Sequence, residues 1–131
     1  NMDAYFETVK DYLLELNFTI IQEDKEDGVF VVENEESGIK NTVLIVSEPM
    51  VIVEQLICEL ADDDPAIYQR LLIKNRDIIH GAFTLDDTGK RLFFRNTHEC
   101  ENLDLNELEA TLNSLAILLS EYSDELIKIS K

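Results

Sequence analysis

An α+β fold is what this sequence predicts, as one domain over residues 1–131 with an antiparallel sheet packed with three helices in the order α-β-β-β-β-α-β-β-α. Three observations carry that prediction. Apolar residues recur at helical spacing near both ends and once in the middle of the chain. Between them lie β-branched and aromatic runs of strand length, and clusters of Gly, Asp, Asn, Ser and Pro separate those runs in pairs, as hairpins require. A chain of 131 residues buries about two thirds of the surface its unfolded form exposes, enough for a core without staples.

The first helix starts at Met2, where Tyr5, Phe6, Val9, Tyr12, Leu13 and Leu16 share one face while Glu7, Lys10, Asp11 and Glu15 fall elsewhere, and it is expected to end near Asn17. Phe18 to Ile21 and Val29 to Val32 read as a hairpin around Glu23 to Gly28. Thr42 to Val46 and Met50 to Cys58 follow, divided by Ser47, Glu48 and Pro49; proline cannot donate to a ladder and belongs in the turn. The near-continuous apolarity of these runs predicts strands covered on both faces or lying at an interface, since a sheet with one wet face alternates.

Asp64 followed by Pro65 marks the start of the second helix, with Asp64 as the cap and Pro65 where a missing N–H costs nothing. That helix runs through Ile67, Tyr68, Leu71 and Leu72 to about Asn75. Ala82 to Leu85 and Arg91 to Phe94 form a second hairpin, with Gly89 supplying the positive φ of its turn. Asn96 to Glu101 reads as a loop. The last helix carries Leu105, Leu108, Leu112, Leu115, Leu119, Tyr122, Leu126 and Ile129 at spacings of three and four as one continuous element. Asp104 and Glu107 have capping-box spacing at its start, and Leu103 and Leu108 stand where a hydrophobic staple forms.

With 28 acidic against 11 basic side chains and a formal net charge of -17, the chain is a poor partner for nucleic acid or for an anionic membrane surface, both of which call for Lys- and Arg-rich faces. Cys58 lies in an apolar run and Cys100 in a polar one, with no CxxC pair, which fits two free thiols in a reducing compartment. The opening residues show no basic region followed by an apolar core, and no run reaches the roughly 20 residues of a spanning helix. The expectation is a cytoplasmic protein.

The residues able to do chemistry are few. His98 and Cys100 are two candidate metal ligands, but zinc sites take four ligands or three plus water, and no paired motif completes the set. Asp62, Asp63 and Asp64 cap a helix; Asp86 and Asp87 sit in a turn without the ligand spacing of a calcium loop. GxSxG, GxxxxGK and HExxH are all missing from the sequence. No catalytic residue, cofactor or metal is assigned, and an enzyme is not expected. What remains is a surplus of apolar strand surface, on which Phe30, Val32, Val51 and Val53 are the expected partner-binding residues, with Ile67 and Leu71 on the second helix as the expected seam of a homodimer.

Leu71, Leu72, Ile73, Lys74 and Asn75, then the run from Gly81 to Leu92, then Leu103 with Asp104, resemble the leucine-rich helix ending in Asn, the Leu-Asp hairpin with Gly in its turn, and the Leu-Asp helix start of two families. These are the type III secretion chaperones of the CesT/Tir-chaperone kind and the YbjN-like proteins. The resemblance implies a small acidic homodimer of the bacterial cytoplasm that holds an extended segment of a client protein along apolar surface, without ATP. Two alternatives stand beside it: a small-ligand or metal-sensing regulator using His98, Cys100 and nearby carboxylates, and a YbjN-like domain with no secretion role.

Overall fold

Residues 2–131 are described by a computed structural model. Helix α1 (Met2–Glu15) buries Phe6, Val9 and Leu13, spaced three and four apart, and leaves its acidic residues in solvent. It stops at Asn17, which adopts a positive φ of 65°, while Asn17 N–H donates to Leu14 O and Phe18 N–H to Leu13 O. The chain then enters four consecutive antiparallel strands, β1 (Thr19–Asp24), β2 (Val29–Asn34), β3 (Ile39–Ser47) and β4 (Met50–Glu59). Helix α2 (Pro65–Lys74) follows, with Asp64 Oδ1 accepting the Ala66 N–H at 3.0 Å as its cap.

Strands β5 (Ala82–Leu85) and β6 (Arg91–Glu99) complete a six-stranded antiparallel sheet of order β1-β2-β3-β4-β6-β5. Their turn is held by Asp86, whose Oδ1 accepts from Thr88 N–H, Thr88 Oγ1 and Arg91 N–H, with Gly89 at φ 71°. Strand β6 is longer than its apolar stretch foretells. Asn96 to Glu99, expected in a loop, pair with β4 from Val53 to Met50, because ladder bonds need only backbone groups and β4 is there to supply them.

The expected third helix is two. Helix α3 (Leu105–Glu121), capped by Asp104 Oδ1 on Glu107 N–H at 2.8 Å, ends where Tyr122 departs from helical geometry at φ -104° and ψ 11°, and helix α4 (Ser123–Ile129) continues from it. The break lets the Tyr122 ring lie 6.2 Å from Phe83 and under the Lys74 ammonium at 4.4 Å. One irregular residue barely disturbs the three-and-four spacing, so the apolar pattern runs across it unbroken. Lys74 and Arg70 both pair with Glu125 of α4, tying α2 to α4 and holding that carboxyl below its ordinary range.

The core lies between the sheet and this helical layer. Phe6 of α1 stacks on Phe30 of β2 with ring centroids 4.2 Å apart, and Leu108, Leu112, Leu115 and Leu118 of α3 are buried against Leu44, Val53 and Phe94 in one cluster. Opposite each other on β3 and β4, Thr42 and Gln55 are buried polar residues: the Thr42 hydroxyl donates to Gln55 Oε1, and Gln55 Nε2 donates to Leu56 O. Among the described residues no helix is long and apolar enough to cross a membrane.

Candidate functional site

Successive side chains of a strand point to opposite faces of its sheet, so the position of one charged residue fixes the direction of its neighbours. Along β6, Leu92 and Phe94 enter the core, while Arg91, Phe93, Arg95, Thr97 and Glu99 take the other face. The pairings carry this division across the sheet. Thr97 stands opposite Ile52, Ile52 opposite Ile45, and Ile45 opposite Val29; Arg95 stands opposite Glu54, Glu54 opposite Val43, and Val43 opposite Val31.

Helices α1, α3 and α4 pack on the first face, and α2 reaches its edge through Leu71. The second face holds Val29, Val31, Val43, Ile45, Ile52, Leu56 and Phe93, and none of these seven belongs to the core or packs against it. They shield one another, which keeps most of them half-buried, while Leu56 is 50% exposed. In their midst Arg95 Nη1 lies 3.2 Å from Glu54 Oε1, a partly solvated pair across β6 and β4 that adds little stability. The apolar strand runs are therefore covered on one face only.

Phe30, Val32, Val51 and Val53, the expected partner-binding residues, are on the helix-covered side, each with 0% exposure. They are core residues, and no partner reaches them in the folded protein. An offset of one position along a strand moves a side chain to the opposite face of the sheet. Polar members of the same strands mark the outer face. Glu33 on β2, Glu54 on β4 and the two arginines of β6 share parity with Val31, Ile52 and Phe93.

Ile67 and Leu71, expected at the seam of a homodimer, also face inward. Leu71 is buried at 7% exposure and Ile67 packs against the core, whereas Leu72 and Ile73 project outward at 69% and 59%. Leu72, Tyr68 and Leu85 line a groove of about 280 Å³ between α2 and β5, floored by Leu71, Phe83 and Leu92. Residues 65–95 carry six basic side chains against three acidic ones, a net charge of +3 in a chain whose total is -17.

His98 and Cys100 do not form a common centre. His98 Nε2 lies 2.8 Å from Thr111 Oγ1 on α3, and Cys100 is buried, its thiol pushed up chiefly by that burial. Among the described residues, no three His, Cys, Asp or Glu side chains are grouped so as to hold a metal ion. Both cysteines are free thiols, and Cys58 is likewise pushed up by burial, away from the reactive thiolate range.

The chain belongs to the CesT_Tir_1 family, whose profile it matches over residues 2–131. Its fold recurs in solved structures, among them the following three. A chain of the HopA1-SchA chaperone-effector complex superimposes with a TM-score of 0.67 at 14% identity, covering 93% of this chain and 95% of that one. The Yersinia pestis type III secretion chaperone SycH, solved in complex with a stable fragment of YscM2, gives 0.60 at 16% identity, covering 96% and 99%. YbjN from E. coli, described as a putative transcription regulator, gives 0.59 at 11% identity, covering 91% of each. No curated protein matches the chain.

Proposed function

We propose that this protein is a non-enzymatic chaperone or adaptor that holds an extended segment of a client protein on the open face of its sheet, and that it works as a homodimer joined through the corner of α2 and β5. The observation that carries the reading is the row of seven apolar side chains that no helix covers. An antiparallel sheet with one wet face ordinarily turns polar residues outward, and contiguous apolar surface of this kind marks an interaction site. Covering each of these side chains contributes on the order of 1 kcal/mol, which a peptide gathers from several at once. Family membership supports a protein-binding role, and the complexes with effector or partner fragments among the similar structures support a protein segment as the ligand.

The dimer seam rests on α2. An isologous contact sets a surface against its own copy, so in so acidic a chain it favours a region free of excess negative charge. The stretch from 65 to 95 meets that requirement and carries the outward Leu72, Ile73 and Leu85.

Affinity capture from the native host with wild type and with Ile52→Lys, each checked for an unchanged melting transition, tests the client reading. One dominant protein retained by wild type and lost with Ile52→Lys is the expected result. Capture of the same proteins by both, or of none by either, overturns it. A client that is a secretion substrate assigns the chain to secretion; any other client assigns it the YbjN-like role.

A further inference from the structure

We infer that the segment held on the open face is bipartite, an apolar stretch followed by a basic one, with the basic part lying over the end of the sheet where the β1–β2 and β3–β4 turns meet. The inference rests on the reading that this face holds a client and adds the chemistry of that client.

The apolar rows are not surrounded evenly. Val29, Ile45 and Ile52 form an apolar row near one end of the sheet, with Met50 just beyond it, and around that end stand Asp24, Glu26 and Asp27 at the β1–β2 turn, Glu48 at the β3–β4 turn, and Glu99, which pairs with Met50 at the end of β6. Glu26, Asp27, Glu48 and Glu99 are exposed. The basic residue at this end, Lys25, is turned to the helical side, where its Nζ lies 3.1 Å from Glu7 Oε1 of α1. Among the described residues no other basic side chain is left beside the apolar row there. At the other end of the sheet the charges are mixed, with Lys40 near Glu33 and Arg91 opposite Glu59.

An apolar surface that ends in carboxylates without a basic partner among the described residues fits a chain whose apolar part covers the rows and whose Lys or Arg residues overhang the turns. A second copy docked face to face would bring together two chains of net charge -17, which costs affinity and slows encounter. An acidic segment meets the same repulsion.

The test uses the full chain and two fluorescein-labelled peptides that share an apolar half and differ only in a Lys-rich or Glu-rich second half. Wild type is expected to bind the Lys peptide at least about tenfold tighter than the Glu peptide, with one peptide per chain. Glu48→Lys with Glu99→Lys is expected to weaken the Lys peptide about tenfold, whereas Glu35→Lys with Glu36→Lys, the same change of charge at the opposite end, weakens it less than about twofold. Ile45→Ser with Ile52→Ser weakens both peptides. These charge variants change only exposed side chains, so they remain informative where the Ile variants fold poorly.

Equal binding of the two peptides, or equal effects of the two charge variants, overturns the inference by reducing it to general attraction to an acidic protein. A fall to half mass in sedimentation for Ile45→Ser with Ile52→Ser also overturns it, because a second copy then covers the face. A client lost with Ile52→Lys whose bound segment has no basic part ends this inference and leaves the proposed function standing; clients retained by Ile52→Lys end the proposed function itself.

Discussion

The side chain of Asn75 binds both backbone groups of Phe83: Asn75 Oδ1 accepts the Phe83 N–H at 2.7 Å, and Asn75 Nδ2 donates to the Phe83 carbonyl at 3.2 Å. One amide thus occupies the outer edge of β5 as a neighbouring strand would, and it fastens the end of α2 to the sheet. This is the Asn that closes the leucine-rich helix in the sequence.

Asn75→Ala leaves the Phe83 donor and acceptor without a protein partner and removes the tie between α2 and β5. A loss of about 1–3 kcal/mol in urea unfolding is expected. Asn75→Asp keeps the acceptor and loses the donor, so its loss is expected to be of the same order. Wild-type stability in both variants would show that the pair is dispensable.

Gly81 precedes β5 with φ 131°, and a Cβ built on it would meet the Phe94 ring at 2.3 Å. Phe94 has no accessible surface and nowhere to move. Gly81→Ala is therefore expected to cost about 2–4 kcal/mol, combining backbone strain with overpacking. Gly38→Ala, at φ 75° with open space around it, incurs the strain alone and separates the two effects in the same melting experiment.

His98 is half-buried and its pKa is pushed below the ordinary 6.5, first by burial and further by His80, with Glu107 opposing. Thr111 Oγ1 accepts from Asn96 Nδ2 at 2.8 Å, which leaves its hydroxyl proton for His98 Nε2; that network assigns a neutral ring protonated on Nδ1. The unfolded chain takes up a proton near 6.5 before the folded one does. Stability from this group is thus complete above that value and falls as pH drops below it. Urea unfolding at about pH 7.5 and about pH 5.5 should show a larger loss for wild type than for His98→Gln; equal losses would remove His98 as the cause.

Leu71→Glu and Leu72→Glu are adjacent substitutions with different expected outcomes. The first puts a carboxylate into the core between α2 and β5 and is expected to cost on the order of 4 kcal/mol, with loss of the melting transition. The second stays in solvent, keeps the melting transition of the monomer within about 0.5 kcal/mol, and halves the mass in sedimentation if α2 forms the seam. A mass unaltered by Leu72→Glu places the seam elsewhere.

Element order and type were legible in the sequence because they depend on local chemistry: Asp64 with Pro65, Asp104 with Glu107, and Gly89 in its turn each specify a boundary. The direction of the strands was not, because Val29 to Val32 and Val43 to Val46 are apolar at every position and offer no alternation to read. Only the charged members Glu33, Glu54, Arg91 and Arg95 disclose the parity, and they matter once pairing links the four strands. Tyr122 shows a different limit. Its departure from the helix is made by contacts with Phe83 and Lys74, residues distant in the chain, and leaves no trace in spacing. Asn75 was visible as a residue and silent as a function, since nothing local announces a bond to Phe83.

The division of the sheet into a face that touches the helices and a face that touches nothing else separates two kinds of inheritance. Changes at Phe30, Val53 or Phe94 alter the packing of the whole molecule and must be answered by others. Changes at Val43, Ile45 or Ile52 leave that packing in place and, on the proposed function, alter what the surface recognises. On that proposal, a lineage built on this frame is free to exchange one partner for another by drifting in a few outward positions, with the scaffold beneath them left intact.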